Sequence, residues 1–186
     1  RYHGCYPFRE PWQFSEEAQT ILREYLNYRY RLIPYLYSES IDCAASGLPL
    51  LRPLVLDYQQ DPTVHAIDDQ FMSGRSILVA PVMREDIRRT FYLPEGVWYD
   101  FFNKEASNGR QWITQDCPLN RIPIWLKGGS VIPLGPVVQS TDELSDETPL
   151  EFLVLLDQSN QAGGNFHLNR KRSYTIKAQS NGSQVI

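Results

Sequence analysis

The fold class is decided by the stretch GRSILVAPVMREDIRRTFYLPEGVWYDFF, which occupies residues 74–102. It contains three short runs of β-branched and aromatic residues, at 77–82, 89–93 and 97–102, separated by Pro, Gly and charged residues. Such runs are typical of antiparallel strands joined by turns. Further runs of the same kind occur at residues 111–114, 122–126, 130–134, 150–156, 165–168 and 173–178. The sequence therefore predicts an antiparallel β-sandwich from residue 75 onward.

The chain before residue 74 has a helical pattern instead. Ser15 can cap a helix, and apolar residues recur at helical spacing from Ile21 to Leu32. Pro34 removes a backbone donor inside this run, and Gly47 follows its end. We therefore expect one long helix that is kinked or restarted at Pro34 and capped at Gly47.

Two shorter features lie between this helix and the β-rich part. Residues 48–58 form an apolar run bounded by turn residues, which is typical of a strand buried on both faces. Asp61 and Pro62 predict the start of a second short helix that runs toward Met72 and is closed by Gly74. The polar, acidic stretch after Val138 predicts a loop or linker.

Composition excludes several classes of protein. A chain of 186 residues with 42% hydrophobic residues can bury an ordinary core. Its net charge is -4, and its basic residues form no cluster that would bind nucleic acid or an anionic membrane. No apolar stretch is long enough to span a bilayer. Cys5, Cys43 and Cys117 are widely spaced, so we expect buried thiols rather than a metal site, although one disulfide stays possible.

Several phrases, in order and with family spacing over residues 1–135, resemble glycoside hydrolase family 31. They are Arg1-Tyr2-His3-Gly4, Arg9-Glu10-Pro11-Trp12, the segment 28–37 (YRYRLIPYLY), 47–54 (GLPLLRPL), 70–74 (QFMSG), 78–82 (LVAPV), 92–100 (YLPEGVWYD) and 128–133 (GGSVIP). The resemblance implies an α+β chain: the last β/α units of a (β/α)8 TIM barrel followed by an antiparallel β-sandwich. It implies that residues 1–74 are the C-terminal end of the barrel and that residues 75–137 form a proximal sandwich. Residues 138–186 would then form a linker and the start of a distal β-domain.

The resemblance also implies an activity. Members of this family are retaining α-glycosidases, among them α-glucosidases and α-xylosidases, and the His3-Gly4 phrase is closer to the xylosidase-like branch. A retaining mechanism needs a nucleophilic carboxylate and a carboxylic acid about 5 Å apart. No segment here matches the family's nucleophile segment, so we expect no catalytic residue in this chain, no hydrolysis by it alone, and a longer parent protein that begins before Arg1.

Three residues are candidates for substrate binding. His3 resembles the family histidine that ends the seventh barrel strand and hydrogen-bonds the reacting sugar; imidazole can both donate to and accept from a hydroxyl. Arg1 could orient a hydroxyl or carboxylate, as could Arg52, but for both arginines structural pairing with an acidic side chain is favoured. Trp12 with Phe8 could form a platform for a sugar face, although simple packing is favoured.

Other polar residues are interpreted as structural. Among Asp57, Asp61, Asp68 and Asp69, the last three suit helix starts better than an acid/base pair. His65 and His167 have no neighbours at metal-ligand spacing. We therefore expect no metal and no cofactor, and an α-linked glucoside or xyloside as the small-molecule partner. Oligomeric state and compartment are not determined by the sequence.

A rival hypothesis makes the β-rich part a non-catalytic carbohydrate-binding or structural module. It predicts exposed aromatic side chains on one sandwich face, and Trp98, Tyr99, Trp112 and Trp125 are the candidates. Most of them alternate with apolar residues and are expected to be buried. A related expectation is that, when this chain is expressed alone, residues 1–73 lose their barrel neighbours and cause association or poor solubility, unless they dock on the sandwich or on another chain.

Overall fold

The computed structural model describes residues 9–85 and 87–181. Two α-helices, α1 (Glu16–Arg31) and α2 (Ile33–Ser46), precede a part of the chain that is mostly antiparallel sheet. The strands are β1 (Leu51–Pro53), β2 (Phe71–Ser73), β3 (Ile77–Val79), β4 (Arg88–Leu93), β5 (Val97–Asp100), β6 (Ala106–Asn108), β7 (Gln111–Asp116), β8 (Ile124–Lys127), β9 (Ser130–Leu134), β10 (Glu151–Leu155), β11 (Gln161–Asn169) and β12 (Arg172–Gln179). Short 3-10 helices occur at Pro11–Gln13, Leu54–Leu56, Pro62–Ala66 and Thr141–Glu143.

The helical prediction is confirmed, including the N-cap at Ser15, the restart at Pro34 and the C-cap at Gly47. The Ser15 side chain accepts a hydrogen bond from the Ala18 amide, which satisfies a free donor at the start of α1. The helix restarts at Ile33 with Pro34 in its first turn, where a missing N–H is tolerated. Gly47 ends α2 in the left-handed conformation, with φ of 77°.

A six-stranded antiparallel sheet, in the order β1-β2-β3-β8-β5-β6, is the centre of the β part. Alternate side chains point to its opposite faces. Leu78 and Trp125 are partners in the β3–β8 register and lie in one core, whereas the neighbouring pair Ile77 and Leu126 lies in the other. The sheet is therefore apolar on both sides.

Each face of the central sheet is covered by a different layer. On one face Trp98 and Leu78 pack with Phe91 and Leu93 of the two-stranded sheet β4–β7. The other face packs against the four-stranded sheet β10-β9-β11-β12 and against Tyr35 of α2. This layering is consistent with the predicted β-sandwich.

The prediction of a strand buried on both faces at residues 48–58 is wrong. Only Leu51–Pro53 form a strand, which pairs antiparallel with β2 at the edge of the sheet, and Leu51 is 61% exposed. The chain then turns through the 3-10 helix at Leu54–Leu56. Pro53 lacks the N–H that a central strand would need, which suits it to an edge, and an apolar run alone does not reveal how many neighbours a strand has.

The second predicted helix is shorter than expected. Asp61 caps a 3-10 helix at Pro62–Ala66, but the chain is extended again at β2, and Asp68 and Asp69 start no helix. Gly74 does not end a helix; it lies in the β2–β3 turn with φ of 64°. An added Cβ there would lie 2.4 Å from the Tyr35 hydroxyl, so both conformation and space require glycine.

The sheets cross both expected domain boundaries. Strand β2 ends at Ser73 and pairs with β3 in the central sheet, so hydrogen bonding is continuous across Gly74. Similarly, β9 lies before residue 137 and pairs with two strands that lie after it. These are β10 and, through one bridge, β11. The pattern of short strands locates each strand but not its partner, because partners are distant in sequence.

Candidate functional site

The site predicted from the sequence lies at the N-terminal end of the chain, and Trp12 is its described member. His3 and Arg1 lie outside the described residues, as does Phe8, the expected neighbour of Trp12. Trp12 sits in the 3-10 helix at Pro11–Gln13 and is 69% exposed. A tryptophan this exposed is unusual for packing alone, so the structure leaves its ring accessible to a partner.

Local hydrogen bonds hold the turn that carries Trp12. Pro11 occupies the first position, where its fixed φ suits a helical start. The Gln13 amide donates to the Glu10 carbonyl at 2.9 Å, and the Gln19 side chain donates to the Phe14 carbonyl at 2.9 Å. The turn is thereby joined to the first turn of α1, and Phe14 adds a second exposed ring that sequence reasoning did not select.

A buried carboxylate oxygen lies close to this turn. The Oε2 atom of Glu10 is buried and has no hydrogen-bond partner within residues 9–85 and 87–181. A buried acceptor without a donor is unfavourable by about 1–3 kcal/mol, so a donor outside the described residues would stabilise it. Glu10 belongs to the family phrase Arg9-Glu10-Pro11-Trp12, but the sequence does not predict it as a site residue, because a single glutamate in a loop gives no signal of burial.

Helix α1 docks on the sandwich through its tyrosines. The Tyr25 hydroxyl accepts from the Ile122 amide at 2.9 Å and donates to the Asn120 carbonyl at 3.1 Å. Tyr28 contacts Phe101 and Phe102 edge-on, with ring centroids 5.4 and 5.9 Å apart. Burial raises the pKa of Tyr25 above its usual value, which keeps the hydroxyl protonated and able to donate.

Helix α2 is fixed to the sandwich by a buried polar network around Gly74. The Tyr35 hydroxyl donates to the Ser73 carbonyl at 2.8 Å and accepts from the Ser76 amide at 3.1 Å. Burial, together with the charge of Glu39, raises the pKa of Tyr35. Glu39 is itself buried and accepts from the backbone amide of Arg75 at 2.9 Å.

The same network extends to the last strands through α2. Asp42 binds the guanidinium of Arg75 and lies 2.8 Å from Nε2 of His167. The His167 amide donates to the Ser38 hydroxyl at 2.9 Å. The contacts of His167 with Asp42 and Ser38 therefore join β11 to α2. In the part of the chain that the structure describes, no cluster of three or more His, Cys, Asp or Glu could hold a metal ion.

Arg52 has the structural pairing that the sequence analysis favoured. Its side chain is 2% exposed, and its guanidinium donates to the Asp57 carboxylate at 3.1 Å and contacts Sγ of Cys43 at 3.6 Å. Cys43 and Cys117 are buried free thiols, as expected of core residues, while Cys5 lies outside the described residues. Arg52 is therefore not a candidate for sugar binding.

The clustered aspartates also have structural partners. Asp61 accepts from the Tyr92 hydroxyl at 2.7 Å and from the Thr63 amide at 3.0 Å, and the Tyr92 hydrogen bond lowers the pKa of this carboxyl. Asp69 pairs with Arg89 at 2.8 Å. With Asp57 bound to Arg52, three of the four candidates are engaged by structural partners, in agreement with their interpretation as structural residues.

The aromatic residues of the sandwich behave differently from one another. Trp98 and Trp125 are buried, as expected, and Tyr99 is half-buried. Trp112, in contrast, is 54% exposed, so the expectation of burial fails for this residue. It lies on β7, where Gln111, Thr114 and Asp116 are exposed as well. Alternation alone cannot reveal which positions of a strand are covered.

Comparison with known proteins agrees with this architecture. Residues 1–39 match the model of the glycosyl hydrolases family 31 TIM-barrel domain, and residues 47–132 match the glycosyl hydrolase family 31 C-terminal domain. The first match ends within α2, and the second begins at Gly47, directly after that helix and before the sandwich.

Individual relatives cover most of the chain. It is 37% identical over 150 residues to α-glucosidase 2 of Bacillus thermoamyloliquefaciens, covering 79% of this chain and 19% of that protein. It is 36% identical over 149 residues to an α-xylosidase of Saccharolobus solfataricus, covering 78% of this chain and 20% of that protein. A solved GH31 dextranase of Flavobacterium johnsoniae, complexed with isomaltotriose, superposes with a TM-score of 0.88 at 34% identity, over 95% of this chain and 23% of that one.

A helical hairpin docked on a β-sandwich, with these relatives, places the chain among the glycoside hydrolases. The chain belongs to glycoside hydrolase family 31 and corresponds to its C-terminal portion. It spans about a fifth of the length of the curated relatives it matches. In the described residues, no helix is both long and apolar enough to cross a membrane.

Proposed function

We propose that this chain is the C-terminal portion of a retaining α-glycosidase that hydrolyses α-glucosides or α-xylosides. The observation that supports this most is the order of the two family matches, barrel model first and C-terminal model second, on helices that dock on a sandwich. In this proposal α1 and α2 close a (β/α)8 barrel, and the sandwich supports the barrel from outside.

The division of the chain is part of the same proposal. The barrel portion corresponds to the early residues of the expected 1–74 segment and ends with α2 near Gly47, because β1 and β2 already belong to the central sheet. The proximal sandwich then extends from β1 to β9, and β10 to β12 continue it toward a further β-domain.

The chemistry assigned to this chain is binding and support. His3 and Arg1 contribute hydrogen bonds to the sugar at the reacting position, and Trp12 offers an apolar ring to the face of the substrate. The exposure of Trp12 and its position directly before α1 are compatible with a place at the pocket rim. The nucleophile and the acid/base carboxylate come from a part of the barrel that this chain does not contain, so the isolated chain is inactive.

The test uses the whole protein that contains this chain. We expect hydrolysis of aryl α-glucoside or aryl α-xyloside with retention of anomeric configuration. His3→Ala is expected to lower kcat/KM by about 100-fold, since a hydrogen bond to the reacting sugar strengthens in the transition state. Trp12→Ala should raise KM by about tenfold with a smaller change in kcat, as expected for uniform binding.

His65→Ala is the matched control, because His65 is an exposed histidine that contacts the Gln59 carbonyl on the sandwich. Unchanged kinetics in His3→Ala, with hydrolysis intact, would contradict the role assigned to His3. No hydrolysis of either substrate by the whole protein would contradict the proposed activity itself.

The rival hypothesis of a stand-alone carbohydrate-binding module is not favoured for the sandwich as a whole. It requires several exposed aromatic side chains on one face, whereas Trp98 and Trp125 lie in the core. Only Trp112 among the four candidates is strongly exposed in the described structure.

A further inference from the structure

A polar cavity lies on the sandwich, among described residues that have no role in the proposed active site. Its volume is about 350 Å³, and residues 57–62 form one wall. The other lining residues are Tyr92 near the end of β4, Glu95 in the β4–β5 turn and Arg110 directly before β7. A cavity of this volume is within the size range of small-molecule binding sites.

An aromatic surface borders this cavity. Tyr92 lines it and is the cross-strand partner of Trp112, with ring centroids 5.4 Å apart. The Tyr92 hydroxyl is held by Asp61 at 2.7 Å, which fixes its ring, and the ring in turn supports Trp112. Trp112 therefore presents an exposed ring on a fixed strand beside a polar cavity, and little conformational entropy is lost when a ligand covers it.

The carboxylates of the cavity already have partners within the protein. Asp57 binds Arg52, Asp61 accepts from Tyr92 and Thr63, and Glu95 binds Arg110 at 2.8 Å. These pairs leave no unpaired carboxylate among the three to attract a cation, and the acidic wall disfavours an anion. The exposed amides of Gln59 and Gln60 each offer a donor and an acceptor to an uncharged ligand.

We propose that this cavity and Trp112 form a second carbohydrate-binding site on the sandwich, for a neutral oligosaccharide. The C–H face of a pyranose packs on the exposed indole of Trp112, and its hydroxyls reach the amides of Gln59 and Gln60 and the paired groups of the cavity wall. A neutral oligosaccharide fits this site because its sugar ring has an apolar face for the indole and uncharged hydroxyls for the amides, and because it carries no net charge.

The site goes beyond the proposed hydrolysis, since binding here needs no catalytic group. It would hold one part of a polymeric or branched oligosaccharide on the sandwich while another part of the same sugar molecule occupies the active site. Two linked contacts raise the effective concentration of substrate at the pocket even when each contact is weak.

The test is a titration of the 186-residue chain with maltotriose and, separately, isomaltotriose, followed through the indole N–H signals of its four tryptophans. We expect the Trp112 signal to shift in a saturable way, while the Trp98 signal stays fixed because its indole N–H is buried and bonded to the Pro94 carbonyl. Trp112→Ala should weaken binding about tenfold, Trp112→Phe less, and Gln60→Ala about threefold.

Tyr174→Ala is the matched control, because Tyr174 is a comparably exposed aromatic residue on a different sheet, and it should bind like the unmodified chain. Equal melting temperatures for Trp112→Phe and the unmodified chain would show that a weaker affinity is not unfolding. Shifts confined to Trp12, unchanged affinity in Trp112→Ala, or saturable binding of choline instead of both sugars would overturn the proposal.

The outcome is independent of the catalytic proposal. A whole protein that hydrolyses α-glycosides but shows no sugar contact at Trp112 would overturn this inference alone. A sugar-dependent shift at Trp112 in a protein without hydrolytic activity would support this inference and contradict the proposed enzyme.

Discussion

The helical hairpin and the sandwich of this chain are stabilised in different ways. The central sheet buries side chains on both faces, and Trp98, Leu78 and Leu126 are inaccessible to solvent. Helix α1 contains no fully buried residue, and α2 buries only a few side chains, three of which are polar or carry a hydroxyl. The sandwich therefore has its own core, while the hairpin depends on hydrogen bonds and aromatic contacts to the sandwich.

This difference agrees with the place we propose for the two regions. A hairpin that completes a barrel needs a second apolar surface to cover its remaining half-buried side chains, whereas the sandwich needs none. The docking through Tyr25, Tyr28 and Tyr35 also satisfies the condition under which the sequence analysis expected residues 1–73 to avoid association. Mutations can separate the two contributions.

The largest effect is expected in the core of the sandwich. Trp98→Ala should lower the free energy of unfolding by about 3–5 kcal/mol, because it removes a fully buried indole and leaves a cavity. Trp112→Ala, on an exposed ring, should change it by less than about 1 kcal/mol. Urea denaturation of both variants gives the comparison, and equal losses would contradict the core that we describe.

The second-largest effect on stability is expected at the junction between the helical hairpin and the sandwich. Gly74→Ala should be destabilising by about 3 kcal/mol, because a Cβ would meet the Tyr35 hydroxyl and Glu39 and because φ is positive. Gly47→Ala has a similar φ but open space around it, and should be destabilising by about 1 kcal/mol. Thermal denaturation measures the difference, and a Gly74 variant no worse than the Gly47 variant would argue against tight docking of α2.

A smaller loss is expected where α1 docks. Tyr25→Phe removes the acceptor of the Ile122 amide and should lower the free energy of unfolding by about 1 kcal/mol. Tyr30→Phe, on the same helix, is the control and should have almost no effect. Hydrogen exchange should show faster exchange in α1 than in the central sheet for Tyr25→Phe, and uniform acceleration would mean that the two regions unfold as one.

The smallest effect concerns pH and is confined to the sandwich. The Tyr92 hydrogen bond lowers the pKa of Asp61 below its ordinary value of 3.8, so its contribution to stability is present above that pH and is lost as the pH falls through the folded pKa. The difference in melting temperature between the unmodified chain and Tyr92→Phe should narrow below about pH 4. A difference that does not change from neutral pH to about pH 3 would mean that Asp61 gains nothing from Tyr92.

Prediction from the sequence succeeded where the signal is local. Ser15, Pro34 and Gly47 each act on their own turn of backbone, and the observed helix ends agree with them. It failed at residues 48–58, where burial depends on neighbours that come later in the chain, and it missed β6, whose run Ala-Ser-Asn has no apolar pattern. The candidate site stays a prediction that rests on family phrases, and the exposure of Trp12 and Trp112 was not predictable from alternation.

The sequence by itself determined the α+β class, the two helices with their caps, the approximate position of most strands, and the family. These depend on backbone propensity, capping and hydrophobic period, which act over a few residues. Only the tertiary structure decided the sheet order, the edge position of β1, the buried network at Gly74 and the exposure of Trp112 beside a polar cavity. Each of these depends on contacts between residues far apart in the chain, and such contacts form only when the layers pack.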